Sequence, residues 1–412
     1  MVPPSASEDR LLIYAPVPVY GSPGAWQVER QACNGLRLWA ENFAHVTVMM
    51  PHLEGPAPVG WVPSDTIGPN AARIEIVALP TAWVLPRFLR VYRRTRDRIR
   101  AEIARADYLS FAIGGLVGDW GAVACLQAQR MGRPFAVWTD RVESEVTRRD
   151  ARTGPLKRRL KKHVTHRPMA LLERHVIRRA TLGLFHGQQT FEAYAPYSRN
   201  PQMVHDIHLG PEAHISDADF AAKLASAETD PLHVVYAGRA SAMKGPLDWA
   251  AALRALDRAG LPFQAHWLGD GPLLEDLRAQ LQADGLLDRV TLHGFVDDME
   301  AVAARMRAAH VFLFCHTTPE SPRCLIESLI AGTPIVGYDS PYAADLIRTA
   351  GGGQLVEIGE TGPLGEALVA LARDRGRLAT LIRAARTDGA PFDDVSVYRH
   401  RSDIIKRHLG TG

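Results

Sequence analysis

The sequence predicts an α/β protein with two doubly wound domains, each built around a parallel sheet. Short apolar runs of strand character alternate with longer stretches of helical periodicity, which is typical of βαβ units. The alternation breaks once, at a stretch of polar and small residues over 211–231, and then starts again. We therefore expect a first domain over 1–210, a linker over 211–231, a second domain over 232–390 and a terminal helix within 391–412.

In the first domain, apolar runs predict strands at 11–15, 46–50, 74–79, 108–113, 135–138 and 182–185. Helical periodicity lies between them, at 25–42, 84–105, 120–131 and 168–180. Gly21 and Gly24 follow the first strand, in a glycine-rich turn that is expected to open helix 25–42. This turn does not match the GxGxxG pattern of dinucleotide-binding folds, so a ligand contact and a plain tight turn are both consistent with it.

In the second domain, strands are predicted at 232–237, 265–268, 290–292, 311–315 and 334–336. The helices are predicted at 246–259, 272–284, 298–308, 325–331 and 341–349. The last segment, 395–408, has the pattern of an amphipathic helix that can cross back to the first domain. Two similar domains in tandem leave a cleft between them, and such a cleft is a favoured place for a ligand.

Composition and charge exclude several classes of protein. The hydrophobic content of 46% is enough for real cores, and a net charge of +3 does not suggest a nucleic-acid binder. No apolar run approaches the roughly 20 residues that span a bilayer, and the N-terminus lacks a signal-peptide pattern. The cysteines form no CxxC pair, which predicts reduced thiols and a cytoplasmic location.

Two HxxH pairs, His163/His166 and His205/His208, have the spacing of metal ligands. Neither pair comes with a cluster of carboxylates or cysteines that would complete a coordination sphere. We therefore expect no metal site.

The most informative stretch is 311–337, which has the pattern of a strand, a polar loop, a helix and a second strand. At the carboxyl end of a parallel strand, the N–H groups of a helix N-terminus can bind a phosphate. Here these groups belong to Arg323, Cys324 and Leu325. Glu327 lies one turn into the helix, where its carboxylate could accept hydrogen bonds from a ribose diol. For an isolated glutamate, a solvated helix carboxylate is the more common alternative.

Two cations follow the first strand of the second domain. Arg239 and Lys244 lie in a loop bounded by Gly238 and Gly245, where two fixed cations can clamp a diphosphate. Taken singly, each is as consistent with an ordinary surface cation. Two later turns of this domain are further candidates for ligand contact, through Gly271 and through Phe295 and Val296, the last two beside a flat base.

Taken together, these motifs resemble the nucleotide-sugar-binding half of a retaining glycosyltransferase of family 4. The resemblance covers about 231–350 and rests on 238–239 with 244–245, 269–272, 294–296 and 320–334. It implies the GT-B architecture, in which two Rossmann-like domains face each other across a cleft. It also implies a nucleotide-sugar donor as a substrate, with no cofactor and no metal.

The resemblance also implies individual roles. Arg239 and Lys244 stabilise the diphosphate of the donor and the leaving nucleotide, Glu327 holds the ribose, and Glu320 contacts the transferred sugar. The family usually has seven residues between its two glutamates, whereas six separate Glu320 from Glu327. Either the loop is one residue shorter or Pro319 fills the usual place, so the role of Glu327 transfers more safely than that of Glu320.

In the first domain the resemblance is architectural only. The family commonly has a histidine after the strand that corresponds to 135–138, whereas this chain has Asp140 in that neighbourhood. We expect Asp140 to face the sugar and the acceptor at the carboxyl end of its strand. The alternatives are that Asp140 caps the next helix or pairs with Arg141 or Arg148. His186, after another strand, is a second candidate, although lone histidines are more often structural.

Positive charge is concentrated in two segments. Residues 141–180 hold thirteen Lys and Arg against four Asp and Glu, including the run 157–162, and 86–105 is a second basic stretch with interleaved apolar residues. A basic amphipathic helix can lie on an anionic membrane, and a solvated helix face is the alternative. Nucleic acid is a poorer partner because no recognised reading module accompanies the charge.

The function predicted from the sequence is retaining transfer of a sugar from a nucleotide diphosphate donor to an acceptor hydroxyl. The acceptor is expected to be a glycan or a lipid-linked glycan, in surface polysaccharide synthesis at the inner face of a membrane. Alternatives are a GT-B-like epimerase or phosphorylase and an inactive nucleotide-binding protein. Turnover with retained anomeric configuration would distinguish a transferase from an epimerase or a phosphorylase. Nucleotide binding without turnover would indicate an inactive binding protein.

Overall fold

The computed structural model describes residues 9–150, 156–207, 209–318 and 321–410. The chain divides into two compact units. Unit 1 comprises Met1–His208 and Asp394–Gly412, and unit 2 comprises Leu209–Asp393.

Unit 1 alternates strands and helices along most of its length. Its strands are β1 (Arg10–Tyr14), β2 (Tyr20–Ser22), β3 (Ala25–Glu29), β4 (His45–His52), β5 (Trp61–Pro63), β6 (Ile74–Pro80), β7 (Tyr108–Ala112), β8 (Ala136–Thr139), β9 (Leu182–His186) and β10 (Pro201–Val204). Its helices before residue 208 are α1 (Arg30–Asn42), α2 (Leu85–Arg105), α3 (Trp120–Arg130), α4 (Glu143–Asp150), α5 (Leu156–Ile177) and α6 (Gly187–Tyr194).

The main sheet of unit 1 has the strand order β10-β9-β8-β7-β1-β4-β6, and every neighbouring pair is parallel. Successive residues of a strand point to opposite faces of the sheet. Leu12 accordingly belongs to a core shared with α2 and α3, whereas Leu11 and Ile13 belong to a core shared with α1. Both faces are therefore buried, as the apolar strands predict.

The glycine-rich turn after β1 is not the start of a helix, and this part of the prediction is wrong. Gly21 and Gly24 lie in an antiparallel hairpin of β2 and β3, which continues to β5, and helix α1 begins only at Arg30. Gly21 has φ +93°, and a side chain there would meet the Ala25 carbonyl oxygen at 2.3 Å. The two glycines therefore serve a tight hairpin, which resembles a βα turn in composition.

Unit 2 contains strands β11 (Leu232–Ala237), β12 (Phe263–Leu268), β13 (Val290–Leu292), β14 (Val311–Phe314), β15 (Ile335–Tyr338) and β16 (Gly353–Val356). Its helices are α7 (Asp217–Thr229), α8 (Pro246–Arg258), α9 (Leu274–Ala283), α10 (Met299–Ala308), α11 (Arg323–Ile330), α12 (Pro341–Leu346), α13 (Thr361–Arg373) and α14 (Arg375–Gly389). The sheet order is β13-β12-β11-β14-β15-β16, with all neighbours parallel.

The segment predicted as a linker, 211–231, holds helix α7. Ser216 caps this helix by accepting a hydrogen bond from the Asp219 amide, and Asp217 and Asp219 lie in its first turn. Serine and aspartate are common both at helix starts and in linkers, because their side chains can bond to backbone N–H groups that lack a partner in regular structure. Composition alone therefore does not separate the two. Helix α7 packs on α14 and α10 within unit 2.

The terminal segment forms helix α15 (Asp394–Leu409), as its amphipathic pattern predicts. This helix belongs to unit 1, where Ile404 and Ile405 join the core that also contains Leu36 of α1. Tyr398 packs against Gly35, where a side chain would meet the Tyr398 hydroxyl at 2.4 Å. An element distant in sequence thus completes one face of the unit 1 sheet.

Candidate functional site

The sheet of unit 2 has a topological switch point between β11 and β14. From β11 the chain continues outwards through β12 and β13, and it then returns to β14 on the other side of β11. Connections leave the carboxyl ends of such a strand pair in opposite directions, which opens a crevice where α/β sheets bind ligands. The loops after β11 and β14 therefore form the first candidate site.

Hydrogen bonds join these two loops. The Thr317 amide donates to the Met243 carbonyl at 3.0 Å, and the Thr317 hydroxyl donates to the Ala242 carbonyl at 3.5 Å. Gly245, in the left-handed conformation with φ +60°, comes so close to the second loop that a Cβ would lie 2.2 Å from the Cys315 carbonyl oxygen. This contact requires glycine, and it holds the two loops as one surface.

His316 links this surface to the strands below. Its Nε2 lies 2.9 Å from the Tyr236 hydroxyl, and the side chain is buried. Burial lowers the pKa of His316 to about 3, and the charge of Lys244 contributes to this shift. The imidazole is therefore neutral at neutral pH, and Lys244 of one loop lies within electrostatic reach of the other loop. No role for His316 was predicted from the sequence.

The predicted cations both lie on the loop after β11. Arg239 is exposed at its beginning, and Lys244 is half-buried at the end of a short turn that leads into α8. Gly238 donates its amide to the Leu268 carbonyl at 2.8 Å. Gly271 packs so closely that a Cβ would lie 2.3 Å from the Ala240 carbonyl oxygen. The turns after β11 and β12 thus support each other and fix the backbone beside Arg239.

Helix α11 follows the loop after β14. Its N-cap residue is Pro322, and the Leu325 amide donates to the Pro322 carbonyl at 3.2 Å. Arg323 is exposed, Cys324 is half-buried and Leu325 is buried. Pro322 has no side-chain acceptor for the backbone amides, and a helix N-terminus is a favourable position for an anion.

Glu327 is half-buried in the second turn of α11. Burial raises the pKa of its carboxyl group, and the charge of Arg323 opposes that shift. Glu327 is thus less solvated than an ordinary surface carboxylate. Glu320, predicted to contact the transferred sugar, lies outside the described residues, as does Pro319.

Phe295 and Val296 follow β13. Phe295 is 76% exposed, which is unusual for an aromatic side chain, and Val296 is half-buried. The preceding carbonyl, of Gly294, accepts a hydrogen bond from the Gly269 amide at 2.8 Å. This bond anchors the turn to the one after β12, so the exposed ring is carried by a fixed backbone and is available to stack on a flat base.

Unit 1 has an equivalent switch point between β1 and β7. Backbone amides of the loop after β7 already donate hydrogen bonds to a protein side chain. Asp119, the N-cap of α3, accepts hydrogen bonds from the amides of Gly114, Gly115 and Ala122 at 2.9–3.0 Å. Burial raises the pKa of its carboxyl group, and these hydrogen bonds oppose that shift. A protein carboxylate thus occupies the position where an anionic ligand would bind.

A cavity of about 270 Å³ lies at the same switch point of unit 1, where the end of β7 borders it. It is bordered by the ends of β1 and β8, by α1 and by α15. Its wall is largely apolar and aromatic, with Tyr14, Trp39, Trp138 and Tyr398 among the lining residues. Its ionisable lining residues are Glu29, Asp140, Asp206 and Arg401. Apolar walls with a few convergent polar groups are typical of small-molecule sites.

Asp140 follows β8 directly and borders this cavity with an exposed side chain. The arginines named as alternative partners have other contacts, because Arg141 lies 2.6 Å from Glu143 and Arg148 lies 4.0 Å from Glu145. The structure therefore brings Asp140 to a cavity in unit 1, while its role towards a sugar stays a prediction.

His186 ends β9 and is 8% exposed. Burial lowers its pKa, and the charges of Asp206 and Asp140 oppose this shift. Among the residues that the structure describes, no group of three or more histidine, cysteine, aspartate or glutamate side chains could hold a metal ion. His208, of one HxxH pair, lies outside those residues.

The start of helix α2 presents apolar and basic residues together on the surface of unit 1. The exposed fractions are 59% for Trp83, 57% for Val84, 54% for Leu85 and 65% for Leu89. Exposed arginines of the same helix include Arg87, Arg90, Arg93, Arg94 and Arg98. We call this surface the α2 edge. In the described part of the chain, no helix is long and apolar enough to cross a membrane.

A known protein family matches part of the chain, and the matching segment lies within unit 2. Residues 218–388 match the family model described as "Glycosyl transferases group 1". This segment is similar to group 1 glycosyltransferases. It contains every feature of the crevice between β11 and β14, from Arg239 to Glu327.

A curated relative to which the chain is similar is 2-deoxystreptamine N-acetyl-D-glucosaminyltransferase from Streptomyces fradiae. It is 28% identical over 255 residues, which cover 59% of this chain and 58% of the relative. The chain thus spans little more than half the length of this relative.

Two solved structures show the fold. HepE from Anabaena in complex with UDP matches with a TM-score of 0.65 at 16% identity, covering 97% of this chain and 100% of HepE. WaaG, a glycosyltransferase involved in lipopolysaccharide biosynthesis, matches with a TM-score of 0.56 at 14% identity, covering 98% and 100%. The predicted fold class, α/β of the GT-B type with two Rossmann-like parallel sheets, is confirmed.

Proposed function

We propose that the protein is a retaining glycosyltransferase of family 4 that transfers a sugar from a nucleotide diphosphate donor to an acceptor hydroxyl. The observation that carries the proposal is the crevice of unit 2. Two loops are joined by the Thr317 hydrogen bonds; the first carries Arg239 and Lys244, and the second leads into helix α11, whose N-cap residue is Pro322. Positive charge and a helix N-terminus at a switch point form a binding site for a diphosphate.

In this proposal, the bond between the anomeric carbon and the diphosphate oxygen breaks while the acceptor oxygen bonds to the same carbon. Negative charge accumulates on the leaving diphosphate, where Arg239, Lys244 and the start of α11 stabilise it without a metal. Glu327 accepts hydrogen bonds from the ribose diol, and Phe295 stacks on the base. Fixed cations in a partly buried loop need little reorganisation during the reaction.

On the acceptor side, we assign Asp140 a role in accepting the proton of the acceptor hydroxyl or in hydrogen-bonding a donor hydroxyl. Its position at the cavity of unit 1 supports this role. Asp140→Asn is expected to lower kcat far more than nucleotide affinity, because the amide keeps the shape and loses the base. Melting temperature and single-turnover rate, measured on one preparation, separate this role from a structural one. An unchanged rate with a lowered melting temperature contradicts it.

For the acceptor we propose a glycan or a lipid-linked glycan, in surface polysaccharide synthesis at the cytoplasmic face of a membrane. The α2 edge supports a peripheral membrane contact, because exposed tryptophan and leucine next to arginines favour an interfacial position on anionic lipid. The basic run 157–162 in α5 was predicted to do the same, but side chains 157–161 lie outside the described residues.

The test of the whole proposal is a thermal-shift screen of UDP, GDP, ADP and TDP sugars, followed by NMR analysis of the product formed from each stabilising donor. We expect one nucleotide to raise the melting temperature and the anomeric configuration to be retained. Glu327→Gln should raise the donor KM through the ribose contact, whereas exposed Glu275→Gln on α9 serves as a control. Inversion of configuration, or stabilisation by no nucleotide sugar, would reject the proposal.

A further inference from the structure

The cavity of unit 1 contains a buried cation that the sequence did not indicate. Arg401, on helix α15, is 4% exposed and borders the cavity. Its guanidinium carbon lies 5.7 Å from the ring centroid of Trp39, 5.2 Å from that of Trp138 and 5.1 Å from that of Tyr398. The guanidinium is therefore held between three aromatic rings at the border of the cavity.

The hydrogen-bonding capacity of Arg401 is only partly used. One nitrogen, Nη1, donates to Oδ1 of Asp206 at 3.3 Å, a long distance for an ion pair. Its Nε is buried and has no acceptor among the described residues, and the same holds for the indole Nε1 of Trp138. Buried N–H groups without acceptors are costly, and a guanidinium has five N–H donors. Both side chains border the cavity, so a ligand with oxygen atoms could accept hydrogen bonds from these two N–H groups.

The shape and charge of the cavity narrow the class of ligand. A volume of about 270 Å³ suits a single ring the size of a monosaccharide, and aromatic walls suit the apolar face of such a ring. The carboxylates of Glu29, Asp140 and Asp206 outnumber the one guanidinium. Glu29 makes no side-chain cap to α1, so its carboxylate is not used at the helix start. Hydroxyl and ammonium groups fit this lining, whereas a carboxylate on the ligand would be repelled.

We propose that this cavity holds a sugar-like or cyclitol-like ring of the acceptor and that Arg401, with Asp206, binds its hydroxyl groups. The inference rests on the proposed transferase function, since it specifies the acceptor of that reaction. Tyr398 and Arg401 both belong to helix α15 and line the cavity. This helix therefore takes part in selecting the acceptor. Neutral and amine-bearing rings should bind better than acidic ones.

Saturation-transfer NMR with the full-length protein tests this, using D-glucose, D-glucosamine and D-glucuronate as probes. We expect glucosamine and glucose to bind and glucuronate to bind at least several-fold more weakly. Arg401→Gln should weaken binding at least tenfold, and Arg401→Lys should fall in between because it keeps the charge and loses the planar fork. Arg399→Gln, an exposed arginine of the same helix, should bind as wild type does.

Because Arg401 is buried, its variants can lose stability, so Trp138→Phe provides a milder change. It removes one N–H and keeps an aromatic ring, and it should weaken sugar binding several-fold at an unchanged affinity for nucleotide. Transfer assays should show a raised acceptor KM with little change in the donor KM, a division that a purely structural role would not produce.

The outcomes separate the two proposals. Preferred binding of glucuronate, or sugar binding that is the same in wild type, Arg401→Lys and Trp138→Phe, would overturn the inference even if transfer is observed. Binding of no probe at millimolar concentration would overturn it as well. Arg401-dependent sugar binding in a protein that turns over no nucleotide sugar would support the cavity assignment and reject the transferase function.

Discussion

The two sheets of this chain share one architecture, yet their switch points are prepared for different chemistry. In unit 2 the helix that follows, α11, has Pro322 as its N-cap residue, and proline supplies no side-chain acceptor. In unit 1 the corresponding helix, α3, has Asp119 as its N-cap residue, whose carboxylate accepts hydrogen bonds from three backbone amides. We call the switch point of unit 2, whose N-cap residue supplies no acceptor, the open one, and that of unit 1, where a protein carboxylate accepts the amides, the closed one.

This difference shows that a doubly wound topology supplies a place for a ligand but does not decide whether the place is used. Backbone amides and a helix N-terminus favour an anion in both units. Asp119 satisfies that preference internally in unit 1, so the candidate site of that unit is instead a cavity built from side chains. Function therefore depends on local capping residues rather than on the fold.

The largest effect is expected from Lys244→Ala, which removes the half-buried cation of the open switch point. Turnover should fall on the order of 10²- to 10³-fold, the range seen when one preorganised donor to a developing charge is lost. Arg239→Ala should cost less because Arg239 is exposed. Arg278→Ala, an exposed cation on α9, is the matched control. Steady-state kinetics with the stabilising donor checks this, and unchanged kinetics for both Lys244→Ala and Arg239→Ala would refute the donor site.

The second effect concerns the closed switch point. Asp119→Ala leaves three amides without their acceptor and should lower the free energy of unfolding by roughly 2–4 kcal/mol. Asp119→Asn keeps a carbonyl oxygen as an acceptor and should cost less. Urea unfolding gives both values. Acetate should raise the unfolding midpoint of Asp119→Ala more than that of wild type if the vacated amides accept an anion. A loss below about 0.5 kcal/mol would contradict the importance of this cap.

The third prediction uses the neutral histidines of unit 2. Nδ1 of His310 accepts the His233 amide at 3.2 Å and Nε2 lies 2.8 Å from the Ser226 hydroxyl, while burial lowers the pKa to about 3, as it does for His316. The pKa of both histidines is therefore higher in the unfolded chain than in the folded protein, so each takes up a proton on acid unfolding.

Their contribution to stability is therefore complete above about pH 6.5 and is lost as the pH falls towards 3. Each should reduce the free energy of unfolding by up to about 1.4 kcal/mol per pH unit in that range. Urea midpoints measured between pH 7 and pH 5 check this. His310→Gln should flatten the profile, and exposed His45→Gln should leave it unchanged. A wild-type profile independent of pH would show that protonation of these histidines is tolerated.

The smallest effect concerns the α2 edge. Vesicles with anionic lipid should bind the protein, and replacing Arg90, Arg93 and Arg94 by glutamine should weaken binding by about 1 kcal/mol per residue. Raised salt should also weaken it, because exposed charges are screened within about 8 Å at physiological ionic strength. Sedimentation with vesicles measures both. Equal binding to neutral and anionic vesicles would contradict a membrane contact and would indicate that the α2 edge is an ordinary solvated helix face.

Prediction from the sequence was most successful in unit 2. The strands at 232–237 and 290–292 were placed at their observed bounds. The first is mostly buried, and buried strands are short, largely apolar runs between turn residues. Arg239, Lys244 and Glu327 could be proposed from the sequence for a related reason, since a loop after a parallel strand is short and its residues are neighbours in sequence. The connection between the loops, through Thr317 and Gly245, depends on approach in space and leaves no such signal.

Prediction was weakest where an element depends on its surroundings. Residues 25–29 have a helical pattern but pair with β2 and β5 as a strand, and the polar start of α7 was interpreted as a linker. Local propensity amounts to fractions of a kcal/mol per residue, so pairing and packing override it.

The sequence by itself determined the fold class, the division of the chain into two sheet-forming halves and which residues follow the strands at the switch point of unit 2. These properties are encoded in periodicity and in residues that lie close together along the chain. Only the tertiary structure decided that Asp119 closes one switch point and that Arg401 borders a cavity with Trp39, Trp138 and Asp206. The physical reason is that burial and unused hydrogen-bond donors belong to an arrangement in space, and an arginine on an amphipathic helix has the same sequence pattern whether it faces water or a cavity.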